Sequence, residues 1–461
     1  MFLSRIRLQR ESPRFSGRSE TILRNDVRAI SKKPPSLLKK GNRMTFFNRY
    51  GNSRTGVRLD LLFACVLCLA PFGLITSTSF ADSRSVQVAI ASWLKVDSDV
   101  TRAWDAREIS SDRVRFIMAD GAESADGSSS RAADKKVLFI FPKKSSAYNT
   151  ALSTSLRVFA DRGLFPEIEV VLMEKDASKR LEVIAAAEAS KVDLIFATGS
   201  SSAKFAYKNY WGGKIPVVTI CAKDPVMLGQ MPNYDSGSGS NMAFTSLNVP
   251  VGLQGKYLKE LKPGLKNVAV LFANENKSAI KTQYEPLVKW GKENGIQVLG
   301  VGVSQKGAAV ELSKTVPEAV ARMRSSDPSL EQSIFWITGS TSVFREIATI
   351  NAHSSTVPVL SVVPDVVQAG TDTAVMSIGV GFDSNAQLAA IYGVNVLMGK
   401  AKVGDLPVGL VEPPDIAISF LKSRDIGMKV PFSFVERAST IYGNTGEIAR
   451  SKGKNVVVSL N

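Results

Sequence analysis

The sequence predicts an α/β protein of two similar Rossmann-like lobes, each a parallel β-sheet covered by helices, with a cleft between them. Three observations carry that expectation. From Lys135 onward, short runs rich in Val, Ile, Leu and Phe alternate with longer segments of helical period. The short runs are continuously apolar rather than alternating, the signature of strands buried on both faces. Finally, one phrase occurs twice: "VDLIFATGSSSAKF" (192–205) and "QSIFWITGSTSVF" (332–344) each run an apolar strand into Thr-Gly-Ser and then a helix-like segment. The first is followed by "KIPVVTI" and the second by "TVPVLSV", at similar distances.

Taken in order, the expected strands of the first lobe are 137–141, 168–173, 194–197 and 217–221. Those of the second are 268–272, 298–303, 334–337, 359–363 and 374–380. Helical period appears over 150–162, 178–190, 251–261, 279–294 and 384–398. The lobes are expected to span 135–247 and 248–443, the second with crossovers back to the first, leaving a tail over 444–461. Residues 82–134 read as an N-terminal extension whose alternation, "SVQVAIASWLKV", has no evident place. It ends in a linker, "ADGAESADGSSSRAAD", with fifteen of sixteen residues drawn from Ala, Asp, Glu, Gly and Ser.

The chain's formal charge of +16 is concentrated at its head: residues 1–60 hold 15 Lys/Arg against 4 Asp/Glu, and the remainder carries only +5. That distribution argues against a nucleic-acid partner. The basic head precedes "LLFACVLCLAPFGLI" (61–75), an uncharged stretch of secretory-signal length, short for a bilayer-spanning helix. Residues 1–81 are therefore read as a leader with a signal peptide, cleaved before Asp82 and with the true start possible at Met44. The expected location is the periplasm, or the membrane surface if the segment is retained. Cys65 and Cys68 would leave with it, so the mature chain keeps Cys221 and forms no intrachain disulfide.

In open parallel sheets, ligands lie beyond the C-terminal strand ends, where loops feed helix N-termini. Both Thr-Gly-Ser turns occupy that position. Thr198, Gly199, Ser200 and Ser201 in the first, and Thr338, Gly339, Ser340 and Thr341 in the second, offer hydroxyls beside unpaired helix N–H groups. Helix capping is the alternative role for the same residues. Other strand ends add Ser145, Ser146, Asn149, Asp224, Asn274 and Asp365, the two carboxylates able to bind a ligand or to cap the next turn. Facing copies in tandem lobes point to one divided ligand site. Catalysis is not expected: the single histidine, His353, lies away from any strand end, and no zinc pattern, G-x-S-x-G elbow or P-loop occurs. The G-x-G of "GVGVSQKG" falls inside a strand. No metal or cofactor is predicted.

Several stretches resemble the extracytoplasmic substrate-binding proteins of ABC importers, of the tryptophan/tyrosine type. "VDLIFATGSSSA", "IPVVTICAKDPV", "LKELKPGLKNVAVLF", "VVQAG" and the closing "IAISFLKSRDIGMKVPFSFVERA" are similar to that family's motifs, over roughly 135–443. The resemblance implies a type I periplasmic-binding-protein-like fold with a hinged inter-lobe cleft and three strand crossovers. It implies a small polar or aromatic solute as ligand and an ABC permease in the inner membrane as partner. It also implies a ligand carboxylate held by Thr198 to Ser201. Where the family's second turn carries an amine-binding Asp, this chain has Gly339. An α-amino acid would lose a charge-assisted hydrogen bond of about 1.5–3 kcal/mol unless Asp365 or Glu275 replaced it. A periplasmic sensor acting through a membrane receptor kinase is the alternative, since lobe closure serves either purpose.

Overall fold

Why a run such as "NVAVLFA" becomes a central strand is visible in its burial: all seven residues of 267–273 are buried, so the six after Asn267 can be apolar on both faces. The computed structural model describes residues 86–122, 134–173 and 177–456. The leader, Met44, Cys65, Cys68 and most of the expected linker lie outside them.

The described chain begins with two hairpins, β1 (Gln87–Ala91) with β2 (Leu94–Asp97), and β3 (Trp104–Ser110) with β4 (Arg113–Met118). Then come β5 (Lys136–Phe141), α1 (Ser146–Asp161), β6 (Glu167–Leu172), α2 (Ala177–Ala189), β7 (Leu194–Thr198), α3 (Gly199–Asn209), β8 (Val217–Ile220) and β9 (Met242–Ala243). They form a sheet of order β3-β4-β6-β5-β7-β8-β9, parallel from β6 to β9. Along β5, Val137, Phe139 and Phe141 enter one apolar cluster while Leu138 and Ile140 enter another, so α1 covers one face and α2 and α3 the other.

The N-terminal segment that sequence reading left without a place is thus part of this lobe. β4 adds antiparallel to the edge of β6. Trp93, Leu94, Trp104 and Phe116 bury in the same cluster as α1, with the Trp104 indole donating to the Leu156 carbonyl at 3.0 Å. Arg157 of α1 pairs with Asp97 and Asp99.

The second lobe contains α4 (Val251–Leu261), β10 (Asn267–Ala273), α5 (Lys277–Ala279), a π-helical turn (Ile280–Tyr284), α6 (Glu285–Glu293), β11 (Gln297–Val303), α7 (Ala308–Arg324), β12 (Ser333–Ile337), α8 (Thr341–Phe344), α9 (Ile347–His353), β13 (Val359–Ser361) and β14 (Met376–Gly379). After α10 (Phe382–Leu397) follow β15 (Asp415–Ser419), α11 (Phe420–Asp425), α12 (Phe432–Arg437), β16 (Thr440–Tyr442), β17 (Ile448–Ser451) and β18 (Lys454–Asn455). The sheet order is β11-β10-β12-β13-β14-β15-β16-β17-β18, parallel from β11 to β14. The tail expected over 444–461 supplies β17 and β18, antiparallel additions at the far edge.

Two expectations change. The helix read over 279–294 is broken into α5, a π turn and α6. The helix read over 384–398, placed in sequence among second-lobe elements, packs on the first lobe: Ala386, Ala389, Ala390 and Val394 of α10 join the cluster of α1 and β5. The chain therefore crosses between lobes three times, near 244–250, near 380–382 and near 410–415. Asn385 clasps these crossings, accepting from the Cys221 N–H at 2.8 Å and donating to the Ser246 carbonyl at 3.1 Å. Asn248 takes the Asp224 N–H at 3.2 Å and donates across to the Thr282 carbonyl at 3.0 Å.

Candidate functional site

The two Thr-Gly-Ser turns echo each other in sequence and differ in geometry. In the first, Gly199 adopts φ +75°, a conformation costly for any residue with a Cβ, and the Tyr148 hydroxyl occupies the space a Cβ would need. Thr198 is fully buried, yet its hydroxyl finds no partner and does not cap α3. Ser200 accepts the Lys223 backbone N–H at 2.9 Å, and Ser201 is exposed. In the second turn the hydroxyls are spent internally. That of Thr338 lies 3.0 Å from both the Leu271 carbonyl and the Ser340 hydroxyl. Ser340 also accepts from the Ala273 N–H at 3.3 Å and the Asn276 amide at 3.1 Å. Thr341 opens the short α8, half-buried.

Lys223, which sequence reading passed over inside "AKDPV", joins the turns. Its backbone is held by Ser200, and its ammonium crosses to the second lobe and fills the space where Gly339 would carry a side chain. Gln283, on the π turn, faces the same point: its Oε1 accepts the Gly339 N–H at 2.9 Å and would lie 3.6 Å from a Cβ there. That bond orients the amide and leaves Nε2 buried without an acceptor. π turns recur at functional positions because they redirect a side chain that a regular helix would aim elsewhere.

Lys223 is 8% exposed, and burial pushes its ammonium down to about 8, opposed by the nearby Cys221 thiol. Burial, and then the carboxylates of Asp365 and Asp383, drive the Cys221 thiol above its ordinary range against the lowering effect of the Lys223 ammonium, so it stays protonated. Burial raises the Tyr148 phenol in the same way.

The remaining candidates scatter. Ser145 precedes α1 and Ser146 opens it, exposed. Asn149 is buried on α1 with its Oδ1 unpartnered. Both carboxylate oxygens of Asp224 are committed within the first lobe: one accepts the Val226 and Met227 N–H groups at 2.9 Å, the other the Tyr234 hydroxyl at 2.6 Å. This is the capping role. Asn274 leans over Gly302 of β11, away from β12. Glu275 accepts the Gln305 N–H at 3.1 Å. Neither replaces the missing Asp at 339. Asp365 lies on the turn after β13, exposed, near enough to Cys221 to influence it from across the cleft.

Among the described residues no group of three or more His, Cys, Asp or Glu is placed to hold a metal, and no helix is long and apolar enough to cross a membrane. A separate cavity of about 420 Å³, between Leu261, Leu330, Pro358 and Met428, opens at the N-terminal strand ends of the second sheet, away from both turns.

The sequence matches no family model and no curated protein. Its fold is shared with solved structures. A conserved domain protein of Vibrio cholerae O1 biovar El Tor superposes with TM-score 0.53 at 16% identity, covering 67% of this chain and 99% of that one. The ligand-free, open form of a substrate-binding protein with adhesive properties from Clostridium difficile gives 0.52 at 19% identity, over 66% and 98%. An ABC domain from Streptococcus pneumonia in complex with L-Trp gives 0.51 at 18% identity, over 67% and 100%. At these identities the likeness is one of fold, a type I periplasmic-binding-protein-like arrangement of two lobes.

Proposed function

We propose that this chain is an extracytoplasmic solute-binding protein, which holds a small molecule between its lobes and delivers it to an ABC permease in the inner membrane. The observation that carries the reading is Lys223, anchored on the first Thr-Gly-Ser turn through Ser200 and extended to Gly339 in the second. A ligand touching both turns would favour the closed over the open arrangement of lobes joined by three crossings. The shared fold with substrate-binding proteins supports the same role. The leader read from residues 1–81 supports a periplasmic location. No step of bond making or breaking is assigned to the cleft.

The test is native mass spectrometry of the full chain purified from a periplasmic extract. One small molecule per chain is expected, and both Thr198→Val and Gly339→Ala should lower its occupancy. An empty protein that also gives no thermal shift with a broad metabolite panel would overturn the reading. Loss of binding in only one variant would overturn the single shared site.

A further inference from the structure

We propose, resting on that solute-binding role, that the cleft takes a small organic acid without an ammonium group, its carboxylate held by Lys223, Gln283 and the Thr198 turn. Of the groups left without partners at the two turns, Lys223 and Gln283 offer donors and the Thr198 hydroxyl can donate as well as accept. Lys223 brings an ammonium with three N–H bonds, nine-tenths buried, and no carboxylate among the described residues lies within ion-pair distance of it. Gln283 brings a buried Nε2 whose amide is fixed by the Gly339 N–H, so the unpaired end is the donor end. Thr198 brings a buried hydroxyl beside the N-terminus of the eleven-residue α3, whose first-turn N–H groups have no partner within the helix.

A buried ammonium without a counter-charge is costly, and the cost is relieved by an incoming anion rather than by another cation. The nearby acids do not serve. Asp224 is closed by Val226, Met227 and Tyr234. Asp365 and Asp383 bear on Cys221 rather than on Lys223. The Lys223 ammonium also occupies the one place at position 339 where an acidic side chain could have met a ligand amine. Beside Gly199 stands the half-buried Tyr148 phenol, its hydroxyl nearest the turn, an aromatic neighbour that suits an acid with an organic body rather than a bare inorganic ion.

Calorimetry with three probes of one shape and different charge tests this: 4-hydroxyphenylpyruvate, tyrosine and tyramine, with inorganic sulfate as a fourth. The oxo acid should bind most tightly and tyramine not at all. Lys223→Met should weaken the oxo acid about tenfold to a hundredfold, as expected for a lost charged hydrogen bond. Gln283→Glu, which keeps the acceptor for Gly339 and places negative charge where the donor was, should weaken it as well. Tyrosine or tyramine binding as tightly as the oxo acid, or Lys223→Met leaving the oxo acid unchanged, would overturn the organic-acid assignment while leaving the solute-binding role intact. Sulfate binding as tightly as the oxo acid would overturn the need for an organic body. If none of the four binds but a metabolite panel yields a ligand, a carboxylate lacking an ammonium supports the assignment and any other charge overturns it. A panel without any ligand removes both readings together.

Discussion

Replacing Lys223 by methionine should make the ligand-free protein more stable, and by more at pH 7 than at pH 10. Methionine keeps the unbranched stem and removes the charge. Burial holds the Lys223 ammonium at about 8 in the folded chain, against an ordinary 10.5 when unfolded. At about 1.4 kcal/mol per pH unit, that gap is a penalty of about 3 kcal/mol on the charged form. Below pH 8 both states hold the proton and the folded state bears the penalty in full. Between about 8 and 10.5 the unfolded chain holds this proton more often than the folded one, so the lysine's own contribution to stability rises with pH, and above 10.5 its penalty is gone. The neighbouring Cys221 and Tyr148, pushed upward by burial, stay neutral in the folded chain while they ionise from about 9 and 10 in the unfolded one, so each lowers stability as pH rises; both proteins share that contribution, and it cancels in their difference. Urea unfolding of both proteins at pH 7, 8, 9 and 10 reads the difference directly. A gain in the variant of about 3 kcal/mol at pH 7, closing toward pH 10, is expected. A variant less stable than the parent at pH 7, or a gap that does not narrow, would refute the uncompensated ammonium.

Two further outcomes are expected. Gly199→Ala forces a Cβ into a left-handed backbone and against the Tyr148 hydroxyl. It should cost at least about 1–2 kcal/mol and lower the melting temperature by several degrees. Asp224→Asn weakens a carboxylate cap and a tyrosine hydrogen bond, so unfolding should shift by about 1–2 kcal/mol while ligand affinity stays within about twofold; a tenfold loss of affinity would instead make Asp224 a ligand contact.

The fold was legible where burial is two-sided. Strands such as β10 and β12 read as unbroken apolar runs, and α4 was found with its full extent because its apolar period is uninterrupted. What escaped was long-range. Nothing local in "SVQVAIASWLKV" says that its Trp and Leu pack on α1, since half-buried edge strands and a linker-flanked hairpin share the same weak alternation. Nor does the amphipathic period of α10 name the sheet it covers, which depends on a crossing thirty residues wide. At the site, the hydroxyls and carboxylates at strand ends are what the sequence displays. The most informative groups are a lysine two residues after Cys221 and a glutamine inside a helical segment, and neither type marks a ligand until its burial and missing partner are known. The one local signal for the lysine is "AKDPV" itself, which sets a cation beside the Asp at the strand end.

The repeated turn also shows why two copies of a motif need not do the same work. In the first, an unsatisfied Thr198 hydroxyl is kept at a stability cost that internal capping would have removed, and Gly199 supplies the left-handed backbone of the turn. In the second, Thr338, Ser340 and Asn276 satisfy one another, and Gly339 is needed only because Lys223 fills the space above it. One copy therefore reserves its donors while the other is rigid and makes room. A duplicated site whose halves had remained equivalent would present two open hydroxyls and two glycines of left-handed backbone. The asymmetry is what a single ligand would impose, because its two ends differ in chemistry and each lobe meets one of them.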